Sequence, residues 1–355
     1  MADTNLNVLV IAVGGNVSQG ILKSLARSAL PCRVVGADIS PAQLGLYTVD
    51  KAYVGPWANE PGFFDWLVRV CRAERIDAIL SGAELVLKTL SCRKTEIETA
   101  TGAVCLVSDP AIMAIGDDKL ETCRWLEARG LNRPQYAAGE DRPALDALKA
   151  ACGYPLIAKP RDAGGAAGVL EVRDDADLDY VARKPAYIVQ ECVGDPKTEY
   201  TAGCFVGRDG AVRGCCVMRR ELLCGTTYRA VLGAFPEVRA EAERIATALR
   251  PLGPCNIQLR VTPRGPVCFE INPRFSGTGP MRAYYGFNEV EAALRHYVLG
   301  ENDVALPCPA EGVALRYWNE MYIAPDALEQ LEAHGELDAP RRFLRNVETY
   351  GMNGT

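Results

Sequence analysis

Histidine is nearly absent: His296 and His334 are the only two in 355 residues. The fourteen cysteines never stand as Cys-x-x-Cys, and Cys215 and Cys216 are directly adjacent, so the composition argues against a Cys/His zinc site. No apolar run reaches the ~18 residues needed to cross a bilayer, which excludes a single-helix membrane span. Positive charge is not in excess either. With 39 Lys and Arg against 45 Asp and Glu, the formal net charge of −6 argues against a nucleic-acid surface and for a small-molecule partner. The P-loop pattern GxxxxGK[ST], an internal repeat and a low-complexity segment are all missing.

What is present is a soluble globular composition, 48% hydrophobic and 24% charged, in a chain long enough for two or three units of ~100–200 residues each. The opening MADTNLNVLVIAVGG has no basic segment before its apolar run, which passes straight into a Gly turn and so reads as a first strand rather than a signal peptide. Cysteines scattered singly through apolar stretches, as at Cys105, Cys204 and Cys268, then read as reduced core thiols, and the cytoplasm is the expected compartment.

Residues 7 to about 110 alternate short β-rich runs (NVLVIAV, CRVVGAD, DAILSG, AVCLVS) with helical stretches near 18–29 and 61–74. That order predicts a parallel sheet with crossover helices on both faces. GDDKLETCRWLEARG predicts a helix with Asp117 or Asp118 as N-cap and Gly130 closing it. YPLIAKP and GVLEVR flank a glycine-rich loop, AYIVQECV follows as another strand, and from 198 strands dominate apart from a helix at 236–250, an α+β pattern. The expected division is an N-terminal domain at 1–112, a small subdomain at 113–189, a larger one at 190–325 and a peripheral helical tail at 326–355.

Three segments carry candidate chemistry. The opening turn GGNVSQG with Asp38 superficially imitates a dinucleotide fingerprint, but its spacing is not GxGxxG and it reads as a structural strand-to-helix turn. In AKPRDAGGAAGV a strand delivers Lys159, and Gly164, Gly165 and Gly168 free the backbone to approach phosphate oxygens. The third, CNIQLRVTPRGPVCFEINPRF, reads as two alternating strands turning at Pro263–Gly265. A symmetric hairpin then places Gln258 opposite Glu270 and Asn256 opposite Asn272, with Glu270 and Asn272 on one face. Gln258, Glu270 and Asn272 form an oxygen-ligand set that suits Mg²⁺ bridging phosphates, and Arg274 after Pro273 is a fork of donors for a transferring phosphoryl group. The alternative is the polar face of an exposed hairpin.

Taken with Lys119 in DDKLETCRWL, VQECVGDPKTEYT and FEINPRFSGTGP, these segments resemble the ATP-grasp superfamily, in order and over nearly the whole chain. The carbamoyl-phosphate-synthase-like branch and its carboxylate-amine ligases are the nearest likeness, residues 1–112 being similar to the family's Rossmann-like pre-ATP-grasp domain. The resemblance implies an α/β and α+β architecture. It assigns Lys119, Lys159, Gly164 and Gly165 to the ATP phosphates, Gln190, Glu191, Cys192 and Val193 to the adenine linker, and Glu199 to the ribose. It assigns Gln258, Glu270 and Asn272 to magnesium, with two ions expected and Mn²⁺ able to substitute. Arg274 would steady the γ-phosphate and the acyl phosphate; Arg220 is a further phosphate or substrate contact, with Arg219 its rival. Substrate contacts fall on Arg274, Ser276, Gly277, Arg219 and Arg282, the last read either as a grip for a carboxylate or as a helix-end cation. Ala166 and Ala167 depart from the hydroxyl or basic residues of many relatives. The implied activity is ADP-forming ligation of a carboxylate, an amino acid or peptide, to an amine, with no nucleic acid or membrane partner and a homodimer as the assembly allowed. The alternatives are phosphorylation or cyclisation of a small metabolite, or a nucleotide-binding module without catalysis.

Overall fold

The first strand owes its place to alternation within an all-apolar run. In β1 (Leu6–Ile11), Val8 and Val10 enter one core while Leu9 and Ile11 enter another on the opposite face. The computed structural model describes residues 5–162, 164, 167–307 and 311–347. After β1 come α1 (Asn16–Leu25), β2 (Cys32–Asp38), β3 (Lys51–Val54), α2 (Phe63–Glu74), β4 (Ala78–Ser81), α3 (Glu84–Cys92), α4 (Lys94–Thr101) and β5 (Val104–Cys105). These five strands are parallel in the order β3-β2-β1-β4-β5, as expected for a doubly wound sheet whose strand order reverses between β1 and β4.

Two helices, α5 (Pro110–Asp117) and α6 (Lys119–Glu127), lead into a small antiparallel unit. It comprises β6 (Tyr136–Ala138), α7 (Arg142–Cys152), β7 (Leu156–Pro160), β8 (Leu170–Val172), α8 (Asp175–Ala182) and β9 (Tyr187–Glu191), with strand order β6-β9-β7-β8. Leu145 of α7 and Leu178 of α8 pack with Leu156, Ala158 and Val189 to form its core. Because β9 runs to Glu191 inside this sheet, the expected boundary at 189 falls within a strand and the small unit extends past it.

The large sheet is built from β10 (Glu199–Val206), β11 (Val212–Leu223) and β12 (Thr226–Leu232), then, after α9 (Pro236–Leu249), from β13 (Gly253–Thr262) and β14 (Gly265–Asn272). Its order is β14-β13-β10-β11-β12, with a sixth strand at the β12 edge. One face is dry: Ala202, Cys204, Ile257, Leu259 and Ile271 pack against Ile245 of α9 and Trp125 and Leu126 of α6. The other face carries the polar residues described below. Helix α6 also turns Leu120 and Cys123 toward Ile188 of the small sheet, so one helix packs against both units.

The chain continues through α10 (Gly279–Tyr284), α11 (Glu289–Ala293), β15 (Gly312–Leu315), which is that sixth strand, β16 (Met321–Ile323), α12 (Pro325–His334), β17 (Glu336–Asp338) and β18 (Leu344–Val347). Here the structure corrects the expectation of a peripheral helical tail. After α12 the chain adds β17 antiparallel to the edge of the first sheet, with Leu337 opposite Ala52. The reason is electrostatic as well as hydrophobic: Leu337 is buried, and Lys51, with little side-chain exposure, takes Glu336 at 3.1 Å and Asp338 at 2.9 Å.

Candidate active site

The polar face of the large sheet is organised by cross-strand neighbours. Gln258 stands opposite Glu270 and Asn256 opposite Asn272, the hairpin register expected from the sequence. The two amides hold the carboxylate from either side: Gln258 Nε2 donates to Glu270 Oε1 at 3.0 Å and Asn272 Nδ2 donates to the same oxygen at 2.9 Å. One strand over, Glu199 faces Arg260 across β10–β13, and Arg220 approaches from β11. Arg220 Nε and Nη2 donate to Glu199 Oε1 at 3.1 and 2.8 Å, and Arg260 Nε and Nη2 donate to Oε2 at 3.1 and 2.8 Å. Arg220 Nη2 also reaches Gln258 Oε1 at 2.6 Å, which joins the glutamate–arginine row to the Glu270 cluster.

A β-bulge changes who faces this site. Gln258 pairs with Glu270 but Leu259 pairs with Cys268, so Phe269 is the extra residue. Strict alternation back from Glu270 would send Phe269 into the core and Cys268 out of it. The bulge reverses this: Cys268 is fully buried among Leu259 and Ile271, and Phe269 lines the cleft. The Lys159 ammonium lies over its ring, 5.0 Å from the centroid, and Arg260 stacks at 5.7 Å.

The opposing wall comes from the small sheet and α6. Lys159 sits near the end of β7; burial pulls its ammonium below the ordinary value, against the raising influence of Glu270. Lys119 opens α6, where the N-cap Asp118 accepts the Leu120 N–H at 2.8 Å and is gripped by Arg161 Nε at 3.1 and 3.0 Å. Burial pushes Asp118 up, but the bonds from Arg161 and Leu120 outweigh it and leave its carboxyl below the usual range. A cation at a helix N-terminus is repelled by the macrodipole, so the position of Lys119 favours an anion nearby.

Between the walls lies a cleft of about 240 Å³, and it gathers Lys119, Lys159, Gln190, Glu191, Val193, Glu199, Arg220, Gln258 and Glu270 from among the residues singled out in the sequence. Arg260, Phe269, Ile157 and Leu222 line it as well and were not singled out. Arg260 had a signal, since it follows Gln258 by two on the same strand. Phe269 had none, because alternation alone does not reveal a bulge. Cys192 is exposed, and Gly165 lies outside the described residues.

Other residues stand apart from the cleft. Arg274 donates to the Phe275 carbonyl at 2.9 Å and pairs at 3.4 Å with Glu84, at the start of α3 in the N-terminal domain. Gly164 comes close to that pair: a Cβ built on it would lie 3.5 Å from Glu84 Oε1. Ser276 is buried, its hydroxyl 2.9 Å from that of Thr278, and Gly277 packs on Asn16 of α1. Arg219 is exposed and does not line the cleft. Arg282, read from the sequence either as a carboxylate grip or as a helix-end cation, lies in the last turn of α10 and is not unpaired. It is fully buried, its Nε and Nη2 donate to Glu289 Oε2 at 3.0 and 2.8 Å, and its Nη1 donates to Thr278 at 2.9 Å. Gly203 makes room for it, since a Cβ there would lie 2.4 Å from the guanidinium carbon. In the opening turn Asp38 accepts the Gly14 N–H and the Ile39 N–H, each at 2.8 Å.

The oxygen donors fit a magnesium ion bound together with phosphates. One carboxylate and two amides are too few to hold a hard cation alone, but Mg²⁺ is ordinarily held by one or two carboxylates and completes its shell from phosphates and water. Glu270 Oε2 has no hydrogen-bond partner among the described residues, and no cluster of three or more His, Cys, Asp or Glu competes for the ion there.

Residues 183–321 match the family described as ATP-grasp in the biosynthetic pathway with Ter operon, and residues 8–105 match the PylC-like N-terminal domain. The carbamoyl phosphate synthase large chain of Kocuria rhizophila is 24% identical over 273 residues, 72% of this chain; the chain spans about a quarter of that relative's length, 24%. Among solved structures, N5-carboxyaminoimidazole synthetase from Staphylococcus aureus complexed with ADP superposes with a TM-score of 0.69 at 15% identity, covering 94% of this chain and 87% of that one. L-amino acid ligase from Bacillus licheniformis gives 0.61 at 18% identity, over 83% of this chain and 74% of the other. At these identities the structural likenesses speak for the fold.

Proposed function

The chain carries an ATP-grasp domain behind a PylC-like N-terminal domain, and from that premise we propose that it activates a small carboxylate as an acyl phosphate for capture by an amine. The products are an amide, ADP and phosphate, and an amino acid or peptide is the carboxylate we favour. One observation carries the reading. Lys159 and Glu270 stand on opposing walls of one cleft and attract each other, yet no ion pair within 4.0 Å joins them among the described residues. A gap lined by ammonium on one side and carboxylate on the other suits a polyphosphate against the lysine and its divalent cation against the glutamate.

In this reading Lys119 and Lys159 neutralise the phosphates of ATP, and Gln190 to Val193 border the adenine. Glu199 is oriented by Arg220 and Arg260, whose N–H groups already take two bonds on each of its oxygens, so a ribose hydroxyl would displace one of these bonds or share an oxygen with an arginine. Glu270, with Gln258 and Asn272, would hold magnesium, which would supply neutralisation of the phosphate charge. A carboxylate oxygen of the substrate attacks the γ-phosphorus and the bond to ADP breaks. The amine then attacks the acyl carbon, phosphate leaves, and the amine proton passes to solvent. The protein supplies position and charge rather than a nucleophile, which is the ordinary demand of phosphoryl transfer. Arg274, which lies outside the cleft lining, would steady the phosphoryl group.

The test is ADP release with ATP and Mg²⁺ across amino acids, peptides, small carboxylates and bicarbonate, with hydroxylamine trapping acyl phosphates. Hydroxamate formed with one carboxylate supports the reading and names that substrate. ADP from none of them, with MgADP still binding, turns the assignment to a nucleotide-binding module.

A further inference from the structure

A second cavity opens at the carboxyl ends of the parallel strands in the N-terminal domain. Its walls come from the ends of β1 and β2, the segment after β3, and the starts of α2 and α3, and its volume is about 110 Å³. This is the rim where doubly wound sheets bind ligands, beside the reversal of strand order at β1 and β4.

The lining is apolar: Ala37, Phe63, Trp66 and Val86 are buried in it. Asp38, the one acid in the wall, is occupied by the Gly14 and Ile39 N–H groups and offers the cavity no demand for a polar partner. Around the lining stand Trp57, Ile39 and Leu85, apolar residues left 52%, 40% and 38% exposed. Large apolar side chains grouped on a rim mark a binding surface more often than a solvated one.

The cavity is joined to the chemistry by Glu84. That residue lies between Ala83 and Leu85, both of which line the cavity, and its partly exposed carboxylate reaches Arg274. Size sets the ligand class. An apolar cavity of ~150 Å³ takes benzene, so one somewhat smaller suits a branched aliphatic group.

We propose that this cavity receives an aliphatic side chain of an amino-acid substrate, whose ammonium meets Glu84 and so comes to stand beside Arg274. The proposal rests on the carboxylate-activating reading above and assigns the N-terminal domain the choice of side chain. The cavity supplies apolar contact, and Glu84 supplies the complementary charge.

The experiment is equilibrium dialysis of L-leucine and of glycine, its side-chain-free counterpart, against the full chain saturated with MgADP. Leucine is expected to bind at least about tenfold more tightly than glycine, the discrimination a hydrophobic pocket achieves for a few methylenes. Trp57→Ala, and separately Leu85→Ala, are expected to remove most of that ratio while MgADP affinity stays unchanged; both side chains are exposed, so neither change endangers the core. Equal affinity for the two amino acids, or a ratio that survives both substitutions, overturns the proposal. Because the readout is binding, a failure of ADP release would count against the ligase reading and leave the result for the cavity intact.

Discussion

Arg220 meets Glu199 side-on, with Nε and Nη2 both on Oε1 at 3.1 and 2.8 Å, and both side chains are less than a tenth exposed. Arg260 occupies the other oxygen. The glutamate that the family resemblance assigns to ribose is therefore also the anion that neutralises two arginines. Removing it leaves two cations without their counter-charge, and breaking a buried pair typically costs about 3–5 kcal/mol.

Glu199→Ala is accordingly expected to lower the free energy of unfolding by about 3–5 kcal/mol in urea titration, besides weakening ATP binding. Unchanged stability with only a raised KM for ATP would show that the carboxylate serves the nucleotide alone.

The second expectation concerns pH. Burial sets the Lys159 ammonium below its ordinary value of 10.5. Between the folded and unfolded values the unfolded chain holds more protons, so this residue's contribution makes stability rise with pH through that window. ATP binding runs the other way, because the cleft needs the charged lysine. The affinity for MgATP is expected to fall as pH rises through the depressed value, more steeply in the native protein than in Lys159→Arg. Isothermal titration calorimetry at a series of pH values reads both curves, and parallel curves would remove Lys159 from the phosphate site.

The metal set makes a third prediction. With one carboxylate among three donors, Mn²⁺ should bind weakly to the protein alone and much more tightly once ADP is present, as measured by paramagnetic resonance of the free ion. Glu270→Gln keeps the shape of the cluster and removes its charge. It is expected to reduce ADP release on the order of 10²-fold, the scale of losing one electrostatic contact to the reacting group. Tight Mn²⁺ binding without nucleotide would contradict this picture.

Arg282 and Glu289 are predicted to matter for stability and not for substrate. Burial pushes the Glu289 carboxyl up and Arg282 pulls it back, as in a closed ion pair. Arg282→Ala should destabilise the fold by about 3–5 kcal/mol, whereas Arg282→Met with Glu289→Leu should recover most of that loss. Thermal unfolding of the single and double variants checks it; an active, fully stable Arg282→Ala with a raised substrate KM would restore the substrate role.

The hairpin that carries Gln258, Glu270 and Asn272 was legible as two alternating strands because that information is local. A symmetric turn at Pro263–Gly265 puts Gln258 against Glu270; the chain instead turns at Pro263–Arg264, with Thr262 opposite Gly265, and reaches the same pair because Phe269 is bulged out. The parallel sheet was legible for a similar reason, since apolar runs alternating with helical stretches leave few other arrangements. In the opening turn the glycine spacing misses the dinucleotide pattern, and Asp38 accepts the backbone N–H groups of Gly14 and Ile39.

By itself, then, the sequence determined most of the elements, the hairpin and the alternation that sets Glu270 and Asn272 on one face, all of which follow from contacts between near neighbours. Tertiary structure alone decided the rest. Phe269 faces the cleft because of a bulge that no local pattern announces, and Arg282 is neutralised because α11 delivers Glu289 to it inside the fold. Strand β17 returns to the first sheet because Leu337 is buried opposite Ala52 and Lys51 pairs with Glu336 and Asp338, residues far away along the chain. Such pairings depend on where distant segments come to lie, and that is settled by packing rather than by the residues on either side.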